Sequence, residues 1–78
     1  MLSKLYKILE KTFPNEKIPK KIEKLEINSF KSWDSLGSMR LLLNIEKAFK
    51  IKLNPDQLSE THSIKEIIKI LKEKKKNA

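Results

Sequence analysis

The chain has 78 residues, enough for one small domain and too few for two, and a domain of that size buries only about 60% of the surface its unfolded chain exposes. With no cysteine there is neither a disulfide framework nor a thiolate metal site, so the core must come from the 38% of residues that are hydrophobic. Eighteen basic residues against ten acidic give +8, split as +4 over residues 1–33, +2 over 34–53 and +2 over 54–78, with Arg40 the only arginine; scattered lysine supplies charge without the planar fork that reads bases, which argues against a nucleic-acid reader.

Leu2, Leu5, Leu9 and Phe13 recur near helical spacing until Pro14 stops the pattern, predicting a first helix over about 3–13. Residues 14–33 then form a long loop. Ile18, Ile22, Leu25, Ile27, Phe30 and Trp33 lie within it and should pin it to the core, with a short turn of helix after Pro19. Asp34 is a good N-cap for a second helix over about 35–49. Asn54-Pro55-Asp56 reads as a cap with proline at the first helical position, opening a short third helix over about 55–59. Ser63 with Glu66 makes a capping box for a last helix over about 64–75, its apolar face Ile64, Ile67, Ile68 and Leu71 and its lysine-rich tail frayed. No alternating strand pattern is present. The expected fold is all-α, a single domain over 1–78 built as a small four-helix bundle.

The second helix carries more apolar surface than one core face needs. Wound at about 3.6 residues per turn, it sets Leu41, Leu42, Ile45 and Phe49 on one side. Leu36, Met39 and Leu43 fall on the nearly opposite side, with Arg40, Lys47 and Lys50 interleaved. Either the 14–33 loop folds over this second stripe or the stripe stays partly open as a docking surface, and the neighbouring cations favour exposure. At the start of the same helix stands Trp33-Asp34-Ser35-Leu36-Gly37-Ser38. Ser35 falls at the first helical position, where free backbone N–H groups and the positive end of the helix dipole favour an anion. Read alone, Asp34 and Ser35 are cap residues.

Their setting says more. Asp34-Ser35-Leu36 follows a long pinned loop and opens the central helix of a four-helix chain. With the Leu41-Leu42-Leu43-Asn44-Ile45-Glu46-Lys47-Ala48-Phe49 run, the short element after Leu53 and the closing helix from Ser63, it resembles the acyl carrier protein family over nearly the whole chain. The resemblance implies that Ser35 receives 4′-phosphopantetheine from coenzyme A, donated by a phosphopantetheinyl transferase. It implies that Asp34 lies near the transferase's magnesium and that Leu36 completes the motif. Acyl groups would then ride on the arm's thiol as thioesters, and Leu36, Met39, Arg40, Leu43 and Lys47 would face the loading and transferring enzymes.

The charge departs from the family's habit. Fatty-acid carriers of that family present an acidic second helix to basic patches on their synthases, whereas this helix presents Arg40, Lys47, Lys50 and Lys52 against Glu46 alone. Like charges across an interface repel. The expectation is therefore a carrier for a specialised pathway with acidic-surfaced partners, rather than for housekeeping fatty-acid synthesis. An aminoacyl, D-alanyl or peptidyl carrier is the alternative, and a small basic nucleic-acid-binding domain a remote one, since the loop is too long for a helix-turn-helix. No enzyme is expected: His62 is the only histidine and has no partner base or nucleophile spaced for catalysis. Tyr6, Phe13 and Phe30 read as core residues, and Trp33 either pins the loop or borders the arm's path. No apolar run spans a bilayer and Met1-Leu2-Ser3-Lys4 starts no signal sequence, so a cytoplasmic monomer without membrane insertion is expected.

Overall fold

The computed structural model of the chain describes residues 1–76. It contains four helices: α1 (Leu2–Thr12), α2 (Ser35–Phe49), α3 (Pro55–Glu60) and α4 (Ile64–Lys76). Among the described residues the fold is all-α, with one isolated antiparallel bridge between Glu26 and Ser63. The lysine-rich ending expected to fray is helical through Lys76, the last residue of α4, where lysines suit the negative end of the helix dipole.

Proline and cap chemistry explain the limits of these helices. Phe13 drops out of α1 (φ −123°, ψ 68°) because Pro14 follows it, and a residue before proline is driven from the helical region. Asp34 caps α2 in extended conformation, its carboxylate accepting the Gly37 N–H at 2.8 Å. At the other end Lys50 takes the left-handed conformation (φ 55°) that stops the helix. A reciprocal box opens α3: Asn54 Oδ1 accepts the Gln57 N–H and Gln57 Oε1 accepts the Asn54 N–H. At α4 Ser63 Oγ accepts the Glu66 N–H, while the Glu66 carboxylate takes the Ser63 hydroxyl and the His62 N–H.

One core runs through the bundle. Leu5, Ile8, Leu9 and Phe13 from α1 and its end meet Leu41, Leu42 and Ile45 from α2, with Leu53 and with Ile64, Ile67 and Leu71 from α4. Phe49 is only half-buried at the rim, where the Lys4 ammonium sits 4.6 Å from its ring centroid. Between α2 and α4 the crevice lined by Leu42, Ile45, Ile51, Leu53, Ile67, Ile70 and Leu71 measures about 10 Å³, no more than one water's room.

The 14–33 loop is pinned at several points. Ile18, Ile22 and Trp33 are buried; Leu25, Ile27 and Phe30 pack partly against the core. The Tyr6 hydroxyl donates to Ile18 O, and the Glu16 carboxylate accepts the Ser32 N–H at 2.9 Å. Ile27 N–H donates to His62 O and Ile64 N–H to Leu25 O, which ties the loop to the entry of α4. The helical turn expected after Pro19 is absent. Residues 21 and 22 are irregular, and the chain turns only at 23–24, closed by the Leu25 N–H on Ile22 O. Burying both Ile18 and Ile22 holds this segment in an open path instead.

Candidate functional site at the N-terminus of helix α2

The site begins with a cluster of rings. Phe13 and Trp33 stack at 5.9 Å between centroids, and Phe30 packs edge-on against Phe13 at 5.1 Å. Trp33 is 1% exposed, so of its two expected roles it pins the loop. A buried indole needs a partner for its N–H, and Trp33 Nε1 donates to Ser38 Oγ at 2.6 Å. Ser38 is itself buried. Gly37 is placed by the same crowding: a Cβ there would collide with the Ser32 carbonyl oxygen and stand 3.0 Å from Phe13 Cε1.

On this base Asp34, Ser35 and Leu36 face outward, all three exposed. Ser38 N–H makes the first intrahelical bond, to Asp34 O at 2.8 Å, and Gly37 N–H is taken by the Asp34 carboxylate. The Ser35 and Leu36 N–H groups find no acceptor among the described residues. The Ser35 hydroxyl makes no hydrogen bond there either and stands open to solvent. Two unpaired amides and the positive end of a 15-residue helix suit an anion beside that hydroxyl. The arrangement fits a phosphate ester on Ser35 Oγ, and nothing described covers the approach.

Beyond the serine, Leu36, Met39 and Leu43 are 62%, 37% and 44% exposed. The loop does not fold over them; it covers the Trp33 side instead. Arg40, Lys47, Lys50 and Lys52 are exposed around and beyond the stripe. Glu46, the single acid inside α2, is half-buried, its carboxylate accepting the Leu53 N–H at 2.7 Å. That bond turns it to the bundle, so the outer side of α2 past its first turn shows cations with no carboxylate among them. The structure thus brings Asp34, Ser35 and Leu36 together at the helix start and strings Met39, Arg40, Leu43 and Lys47 along the exposed side of the same helix.

Three residues that shape the site were not singled out for it in the sequence: Ser38, Gly37 as a close-contact position, and Glu46 as a backbone acceptor. Ser38 carried a usable signal. It lies three residues before Leu41 and seven before Ile45, on the core side, where a hydroxyl requires a partner. No sequence rule reveals the Gly37 or Glu46 contacts, since each involves backbone brought in from a loop.

The family profile described as "Phosphopantetheine attachment site" matches residues 33–71. Searches of curated proteins and of solved structures give no significant match.

Proposed function

The chain belongs to the acyl carrier protein family, whose domains hold covalently attached 4′-phosphopantetheine, and from that premise we propose that Ser35 is the residue that carries the group. The observation supporting this is the exposed, unengaged hydroxyl beside two unpaired backbone N–H groups. The arm would supply a terminal thiol on which acyl groups are held as thioesters. This chain's residues would seat its phosphodiester: the Ser35 and Leu36 amides and the helix dipole stabilise the negative charge. Asp34 uses one carboxylate oxygen on Gly37, leaving the other for the divalent cation that accompanies transfer from coenzyme A.

The whole chain would act as one carrier domain without catalysis of its own. Tethering raises the cargo's effective concentration at a docked enzyme to the mM range for a short flexible link. Among the described residues no helix is long and apolar enough to cross a membrane; the proposed setting is the cytoplasm, as a monomer with transient partners. The cationic exposed side of α2, with Glu46 turned inward, supports a specialised pathway whose phosphopantetheinyl transferase and loading enzymes present carboxylates around an apolar seat for Leu36, Met39 and Leu43.

Incubating the apo-protein with coenzyme A and a broad-specificity phosphopantetheinyl transferase, then weighing it, tests the attachment. One added phosphopantetheine on wild type and none on Ser35→Ala is expected. No addition to wild type, or equal addition to Ser35→Ala, would overturn the assignment.

A further inference from the structure

Three residues around the motif are good N-caps by type: Ser32, Asp34 and Ser35. Aspartate and serine are nearly equal in that role, so local preference alone leaves the start of α2 undecided. The choice matters because a capping side chain accepts a backbone N–H two or three residues on. Were Ser35 the cap, its hydroxyl would turn back to the N–H of Ser38 and lose its freedom. In the structure Asp34 caps, Ser38 N–H goes to Asp34 O, and the Ser35 hydroxyl stays unengaged.

What selects this register lies underneath. The backbone of Trp33 is fixed by the loop: its carbonyl accepts the Asn28 N–H at 2.7 Å, with Asn28 in the left-handed region (φ 70°), and its N–H donates to Phe30 O at 3.0 Å. Its ring is held between Phe13 and Phe30. From this anchored ring the indole N–H reaches Ser38 Oγ, on the first turn of α2. The bond closes a bracket from residue 33 to residue 38. Within it Asp34 and Gly37 hold each other, and Ser35 and Leu36 project.

We propose that Ser38, by accepting the Trp33 indole N–H, is the positioning residue that fixes the register of α2 so that Ser35 offers a free hydroxyl, while its own hydroxyl is withdrawn from modification. The inference rests on Ser35 being the attachment residue. It also accounts for selectivity between two serines three positions apart, since Ser38 is 2% exposed and its oxygen is occupied. In the alternate register Met39 and Leu43 stay on the same exposed side, so a transferase would still dock but meet an engaged hydroxyl. The loss would therefore appear in kcat rather than in KM.

The test is steady-state phosphopantetheinylation of the full chain, with coenzyme A and a broad-specificity transferase, for wild type, Ser38→Ala, Ser38→Thr and Trp33→Phe. Asn44→Ala is the control for general destabilisation, because it removes a bond to Thr12 Oγ1 elsewhere on α2. Ser38→Ala and Trp33→Phe are expected to lower kcat about tenfold, the effect of one lost hydrogen bond on the competent population, with KM for the chain unchanged. Ser38→Thr should restore the rate, and Asn44→Ala should leave kcat at the wild-type value. A wild-type kcat in Ser38→Ala, or an equal fall in Asn44→Ala, would overturn the proposal. Should Ser38→Ala or Trp33→Phe not fold, Ser38→Cys decides, since a thiol is a weaker acceptor in the same place: a kcat below wild type with KM unchanged upholds the proposal, and a wild-type kcat refutes it. Wild type left unmodified would instead remove the attachment assignment, a different result.

Discussion

Replacing Gly37 with alanine reverses an ordinary expectation. Inside a helix the change from glycine to alanine gains about 1 kcal/mol in propensity. Gly37 does not need glycine's conformational freedom, since its φ is not positive. The obstacle is space: the added Cβ would meet the Ser32 carbonyl oxygen closer than real atoms approach, and Phe13 Cε1 at 3.0 Å. Overpacking costs about 1–3 kcal/mol in well-filled sites, and here the obstructing atom is backbone held by the Ser32 N–H bond to Glu16. Easing the clash would also pull Asp34 from the Gly37 N–H, a cap worth about 1 kcal/mol. The net expectation is destabilisation by roughly 1–3 kcal/mol, or about 4–24 °C in Tm for a domain of this size. Urea unfolding followed by Trp33 emission, paired with a thermal melt by circular dichroism, measures it. A Gly37→Ala chain as stable as wild type, or more so, would refute the close-contact account of this position.

Leu42→Ala should cost about 2–5 kcal/mol, because Leu42 is buried and lines the α2–α4 crevice that is already nearly filled; a urea midpoint within error of wild type would contradict this. Glu16 is held below the ordinary glutamate pKa, first by the hydrogen bond to the Ser32 side chain, then by that to its backbone, with the Lys31 charge adding to both. A depressed carboxyl makes stability rise with pH: its contribution is present above the unfolded value of about 4.3 and is lost as pH falls through the folded value. Glu16→Gln should flatten that acid limb of the urea midpoint, and a carboxyl signal titrating at or above the usual value would show the reasoning to be mistaken. Arg40→Glu with Lys47→Glu should raise kcat/KM at least tenfold with elongation enzymes that dock acidic carriers, and should make the salt dependence of that reaction rise; unchanged rates would separate docking from the charge of α2.

Much of the architecture was legible because it rests on local chemistry. Pro14 ended α1, Asp34 and the Asn54-Pro55 pair opened two helices, and Ser63 with Glu66 opened the fourth. The outward stripe of α2 followed from its period alone. Less legible was anything set by contacts between distant segments. The stretch after Pro19 was expected to coil, but the anchors Ile18 and Ile22 hold it open. Phe49 had the right phase for the core and yet stands at its rim under Lys4. At the site the exposure of Ser35 and the inward turn of Glu46 depend on Trp33 and Leu53, residues whose positions a helical wheel does not contain.

The pairing of Leu25 and Ile27 with His62 and Ile64 joins a segment from the first third of the sequence to one from the last. Closing so wide a span has an entropic cost that grows only slowly with its length but must be met before the bond forms. The 25–27 stretch of the loop therefore completes its pairing only when the entry of the last helix is in place, whereas the aromatic floor beneath Ser35 is held by Phe13 and by bonds within the loop. Cutting the chain ahead of residue 62 would leave the Ile27 N–H and the Leu25 carbonyl without these partners, so the loop between the first two helices depends for its outer edge on the far end of the sequence.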